Sequence, residues 1–117
     1  MTDLGLPMLN YAVVSGRVKV LHEIKRTKYD SYLLEFVLEN TVEVPSSDGG
    51  TVPVESLIDV EIWGAMAEDY GKMLTAGCHV IVEGRLASVV FEDRTRIARN
   101  RMILRAREVQ MLDHSNP

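Results

Sequence analysis

Six arginines and no acidic residue lie between Arg94 and Arg107, a density of positive charge whose natural counterpart is a polyanion. A second basic run, Arg17 to Lys28, carries five cations against one carboxylate, Glu23. Between them, Glu35 to Asp69 holds nine acidic residues and no Lys or Arg. The net charge of −4 conceals this striping. Arg94, Arg96, Arg99 and Arg101 are the first candidates for phosphate contacts, with Lys25, Arg26 and Lys28 as a second set. Each phosphate neutralised on a single strand adds roughly 0.7 to the slope of log affinity against log salt. Tyr29 and Tyr32 flank the second set and are placed to interleave with it.

Catalytic chemistry finds no foothold. Cys78 and His79 are adjacent, and neighbours on a strand point to opposite faces, so they form no nucleophile–base pair. His22, His79 and His114 lack ligand spacing, and one cysteine builds neither a zinc site nor an internal disulfide. No glycine-rich phosphate loop or nucleophile elbow is present. The carboxylates alternate along strands as solvated charge rather than as an acid–base couple. No metal or cofactor is expected. The single cysteine fits a reducing cytoplasm, and no apolar run approaches the ~20 residues of a membrane helix.

The elements that must position these side chains are short strands. Leu9 to Val20 is apolar and β-branched, with Gly16 marking a bend or bulge. In Tyr32 to Thr41, Leu34, Phe36 and Leu38 alternate with Glu35, Val37 and Glu39, the period of a half-buried strand. Pro45 to Pro53 reads as an exposed loop. Leu57 to Trp63 alternates again, with Ile58, Val60 and Ile62 opposite Leu57, Asp59, Glu61 and Trp63. Ala65 to Leu74 is a short amphipathic helix carrying Met66, Tyr70, Met73 and Leu74 at helical spacing. His79 to Phe91 turns Val80, Val82, Gly84 and Leu86 inward. Ile97 to Leu112 turns Met102, Leu104 and Ala106 inward and Arg101, Ile103, Arg105 and Arg107 outward. Met66, Met73, Met102 and Met111 all read as core-facing.

With 117 residues, the chain suits one domain, its core at about residues 9–112 and its ends, 1–8 and 113–117, flexible. Five strands with one helix between the third and fourth is the OB arrangement, a five-stranded Greek-key barrel. In such a barrel the fifth strand runs beside the third, so Arg101, Arg105 and Arg107 have a competing duty: offsetting Asp59 and Glu61 across strands. Arg94, Arg96 and Arg99, near the hairpin tip, stand clear of those carboxylates.

Four segments resemble the bacterial single-stranded-DNA-binding protein family. They are Leu9 to Val18, an Asn followed by an apolar run and a Gly; the Trp63-Gly64-x-x-Ala67-Glu68 junction; Gly77 to Leu86 with its Val-x-Val-Glu-Gly core; and Val109 to Leu112. The resemblance implies an oligonucleotide-binding module in which aromatic rings stack on bases while cations track phosphates. It assigns stacking to Trp63 and Phe91. It also implies a homo-oligomer, dimer or tetramer, joined through the first strand, whose outward stripe of Tyr11, Val13 and Ser15 runs beside Ile81.

The departures are as informative. Leu57 and Val44 stand where the family usually has tryptophan, and Ala65 where it commonly has lysine. Glu35, Glu39, Asp59 and Glu61 face outward where phosphates would pass. The chain ends at Pro117 without the family's linker and acidic tip, as expected of a shortened member or a tail-less primosomal relative. Two functions follow. One is binding of single-stranded DNA (or RNA) with little sequence preference, in replication, recombination or repair. The other is a primosome or protein-interaction subunit whose acidic face docks a basic partner.

Overall fold

Alternating side chains dictate the strands, and the barrel forms where their apolar faces meet. The computed structural model describes residues 5–112; residues 1–4 and 113–117, including His114, lie outside the described residues. The elements are β1 (Ala12–Leu21), β2 (Lys25–Arg26), β3 (Tyr32–Pro45), β4 (Thr51–Trp63), α1 (Ala65–Met73), β5 (His79–Glu92) and β6 (Ala98–Leu112). The two-residue β2, unforeseen within the Arg17–Lys28 basic run, pairs with Tyr32 and Leu33 of β3.

The sheet runs β1-β5-β6-β4-β3-β2, and a further β1–β3 pairing closes it. β1 serves two neighbours, pairing with β5 over Ala12–Arg17 and with β3 over Arg17–Leu21. The irregularity expected at Gly16 falls instead between Val18 and Val20. Gly16 has another duty: a Cβ there would collide with the Glu39 carbonyl. A second bulge lies between Glu83 and Gly84, where a side chain on Gly84 would strike the Arg105 carbonyl. Just before β1, the Asn10 side chain takes the place of a strand. Its Nδ2 donates to the Leu86 carbonyl at 2.9 Å and its Oδ1 accepts from the Leu86 N–H at 2.9 Å.

The core gathers Val18, Leu34, Phe36, Leu38, Val60, Ile62, Val80, Val82 and Leu104, each fully buried large side chain contributing about 1.5–3 kcal/mol. Helix α1 covers one end of the barrel with Ala67 and the adjoining Leu74, while Met66 and Tyr70 pack beside them. The Tyr70 hydroxyl donates to the Val109 carbonyl. Glu68 in the first turn and Lys72 in the last complement the helix dipole.

Several expected orientations fail. Met73, Met102, Met111 and Leu86 are exposed, Met102 at 57%. Ile103, expected outward and open, is 1% exposed. The reason lies in how far the strands run. β4 and β6 are parallel neighbours at Val60–Leu104 and Glu61–Arg105. Each is preceded by the tip of its own hairpin, so both hairpins leave the same end of the barrel. Leu86, opposite buried Leu104, lies beyond the last β1–β5 pair at Ala12–Gly84 and so lacks cover from β1, and Met102 lies two residues further out along the hairpin. The β3–β4 hairpin is longer than expected in the same way. Its turn is Ser46–Gly50, and Pro45 and Pro53 lie within paired strands.

Candidate nucleic-acid interface

Outward-facing residues of four strands form one strip across the barrel. β4 supplies Leu57, Asp59, Glu61 and Trp63; β6 supplies Arg99, Arg101, Ile103 and Arg105; β5 ends in Phe91; β3 brings Glu35 and Glu39. The register aligns them, with Glu35 opposite Glu61, Val37 opposite Asp59, Glu61 beside Arg105, and Phe91 opposite Arg99. Trp63 and Phe91 are 40% and 43% exposed, so both rings offer a face to a ligand. Trp63 Nε1 donates to Glu61 Oε1 at 2.8 Å, fixing the indole against the strand. Phe91 has the Arg101 guanidinium 5.8 Å from its ring centre. Ile103 lies on this strip, yet it is roofed by the side chains of a groove of about 230 Å³, lined by Lys25, Glu35, Asp59, Glu61 and Arg101 among others.

Charge on the strip is largely paired. Lys25 reaches Glu35 at 3.0 Å, Arg105 reaches Glu61 at 3.2 Å, and Arg101 stands 3.7 Å from Asp59. The competing duty thus holds for Arg101 and Arg105, while Arg107 pairs with Glu83 on β5 at 3.0 Å instead. Arg99 is clear of Asp59 and Glu61 and pairs instead with Asp93 at 2.7 Å. Arg26 pairs with Asp30 at 2.7 Å and stacks over Tyr32, and Lys28 sits over Tyr29. Arg94, Arg96 and Lys28 have no ion-pair partner among the described residues. The pairs are mostly solvent-facing, and exposed pairs contribute only ~0–1 kcal/mol. They hold cations in position without removing them from use.

The tip that presents Arg94 and Arg96 is a rigid turn. Asp93 N–H donates to the Ile97 carbonyl at 3.1 Å and Arg96 N–H to the Asp93 carbonyl at 3.0 Å. Asp93 Oδ1 accepts from the Thr95 hydroxyl at 2.6 Å and from the Thr95 and Ile97 amides at 2.9 and 3.0 Å. The Thr95 hydroxyl first, then Arg99 and the Ile97 amide, lower the Asp93 carboxyl from 3.8 to about 2. A depressed carboxyl stabilises the fold above its unfolded value, so this lock holds above pH 3.8 and weakens as pH falls towards about 2. The sequence signal for this lock is an Asp two residues before a Thr.

On the far side of the barrel, Tyr11, Val13 and Ser15 are exposed and Ile81 half-buried, with Ser15 opposite Ile81. This stripe carries charge as well. The Tyr11 hydroxyl donates to Glu83, which also accepts from Arg107 at 3.0 Å. That bond raises the Tyr11 pKa and lowers that of Glu83. Among the described residues no group of three or more His, Cys, Asp or Glu is arranged to hold a metal, and no helix is long and apolar enough to cross a membrane.

A closed barrel of five long strands, capped by one helix and carrying exposed rings among cations, defines the chain as an OB-fold protein. Residues 9–112 match the model of the single-strand binding protein family, and the chain belongs to that family. It is 27% identical over 106 residues to the single-stranded DNA-binding protein of Helicobacter hepaticus, a match covering 91% of this chain and 62% of the relative. The fold resembles a deletion mutant of the single-stranded DNA binding protein from Thermus aquaticus, with TM-score 0.81, 22% identity, and coverage of 92% of this chain and 52% of that one. It also resembles the Plasmodium falciparum SSB in complex with ssDNA, with TM-score 0.82, 16% identity, and coverage of 93% and 99%. The chain thus spans less than two thirds of the Helicobacter and Thermus proteins.

Proposed function

We propose that this chain binds single-stranded DNA with little sequence preference, serving replication, recombination or repair in the cytoplasm as a binding module rather than an enzyme. The observation that carries the reading is the placement of Trp63 and Phe91, both open to solvent, on one strip with Arg99, Arg101 and Arg105. Stacking is indifferent to base identity because every base has a π-face, and it contributes ~1–3 kcal/mol per base. Arg94 and Arg96 at the tip, with Lys25, Arg26 and Lys28 beyond β3, continue the positive track for phosphates.

Titration with dT oligomers at two salt concentrations tests this directly. The expected result is quenching of Trp63 fluorescence with an affinity that falls as salt rises, by roughly 0.7 in log–log slope for each phosphate engaged. Absence of both quenching and salt-sensitive retardation would sink the reading. It would favour a second one, a protein-interaction subunit, motivated by Glu39, Glu43 and Glu55 on the outward side of the β3–β4 hairpin. The reading extends to a homo-oligomer joined through Tyr11, Val13, Ser15 and Ile81, supported by the exposed stripe on β1. Light scattering that returned the mass of one subunit would remove that part.

A further inference from the structure

We infer that Asp59, with Arg101, reads the edge of one base and gives the strip a preference for guanine at a single position; this rests on the DNA-binding reading above. The starting point is how differently the strip's carboxylates are occupied. Glu61 is 8% exposed, and its Oε1 serves both Trp63 Nε1 and Arg105. Glu39 is held by Arg17 at 2.7 Å and by Lys19 at 3.5 Å. Glu35 meets Lys25 at 3.0 Å. Asp59 has one ionic neighbour among the described residues, Arg101 Nε at 3.7 Å, and its side chain is 45% exposed. That separation is too long for a hydrogen bond, so both Asp59 oxygens keep open acceptor sites.

Position makes those acceptors useful. Arg101 sits over the Phe91 ring, 5.8 Å from its centre, and beside Asp59, so a base that takes its place on that ring leaves the guanidinium and the acid together at the base's edge. A carboxylate repels phosphate, and a strand crossing here does best with its backbone turned away and a base edge turned in. Guanine alone carries two adjacent donors, N1–H and the N2 amino group, which match the two oxygens of one carboxylate. The neighbouring O6 and N7 accept from an arginine. Thymine offers a single N3–H between two carbonyls, while cytosine and adenine each offer one amino group beside an acceptor. Donors met by Asp59 and acceptors met by Arg101 therefore fit guanine best.

The test uses dT oligomers with one central dG, deoxyinosine, dC, dA or dT, titrated against Trp63 fluorescence. Deoxyinosine keeps N1–H and loses the N2 amino group. The chain is expected to bind the dG oligomer roughly tenfold more tightly than the dT or deoxyinosine oligomer, the low end of a good bidentate contact. Asp59→Asn, which replaces one acceptor by a donor, is expected to erase that preference, so that the dG and dT oligomers bind equally. Thermal unfolding of the variant at the parent's temperature is its folding control. Equal affinities across the five oligomers, or a guanine preference that survives in Asp59→Asn, would overturn the inference and leave the DNA-binding reading standing. Failure to bind any oligomer would overturn both.

Discussion

The β3–β4 and β5–β6 hairpins leave the barrel at the same end and turn in the same way, yet they carry opposite chemistry. At the first tip Ser46 N–H donates to the Gly50 carbonyl and Gly49 N–H to the Ser46 carbonyl; at the second, Asp93 and Ile97, then Arg96 and Asp93, make the same two bonds. The fourth residue of each turn has a positive φ, 92° at Gly49 and 64° at Arg96. The first arm carries Glu39, Glu43 and Glu55 outward and Val42, Val44, Val52 and Val54 on its other side. The second carries Phe91, Arg99 and Arg101 outward and Arg94 and Arg96 at its tip. Shared backbone geometry places both arms beside the strip; side chains alone decide which of them a polyanion approaches. In the proposed DNA-binding reading, the carboxylates of the first arm are a wall that would push phosphates towards the second.

The largest effect expected from breaking this contrast comes from the arginine arm. Replacing Arg94, Arg96, Arg99 and Arg101 with alanine should lower affinity for dT oligomers on the order of 100-fold at low salt. It should also cut the log–log salt slope by roughly 2, from the three phosphate contacts of Arg94, Arg96 and Arg99 at ~0.7 each. Removing the wall should do less, and in the other direction. Glu43→Gln with Glu55→Gln is expected to raise affinity roughly threefold at low salt, with the gain lost once the Debye length shrinks below ~10 Å. Parent-like binding in both variants would mean that the arms do not steer the strand.

The smallest effect sharpens the comparison at the turns themselves. Gly49 adopts its left-handed conformation without strain, whereas Arg96 holds a side chain where L-residues are disfavoured by ~1–2 kcal/mol. Arg96→Gly should therefore raise thermal stability by roughly 0.5 kcal/mol, after the added freedom of the unfolded chain is deducted, while weakening DNA binding by one phosphate contact. Stability and affinity moving together in that variant would contradict a binding role for Arg96.

Much of the barrel was legible in the sequence because alternation reports which way a side chain points. Leu34, Phe36 and Leu38, with Val60, Ile62, Val80 and Val82, all reached the core. Alternation does not report how far a strand runs beyond its neighbours. Leu86 and Met102 carry the right phase and lie past the point where β1 stops covering β5. Ile103 has the outward phase and is buried by the side chains around it. The candidate site was legible in composition, since clustered arginines are visible without a fold. Their partners were not, because Asp93 with Arg99, and Glu83 with Arg107, meet only once the β5–β6 hairpin sets its register. The open acceptors of Asp59 were equally hidden, being a matter of distances across the β4–β6 seam.

Two long arms with unpaired flanks would ordinarily invite neighbouring molecules to add strands and grow into aggregates. Asn10 answers this where β1 ends, because its amide occupies the donor and the acceptor of Leu86 that an intruding strand would need. Pro45 and Pro53 do the same for the acidic arm by subtraction, each lacking the N–H that a templated strand would seek. Resistance to edge-on strand addition thus rests on three residues outside the candidate interface.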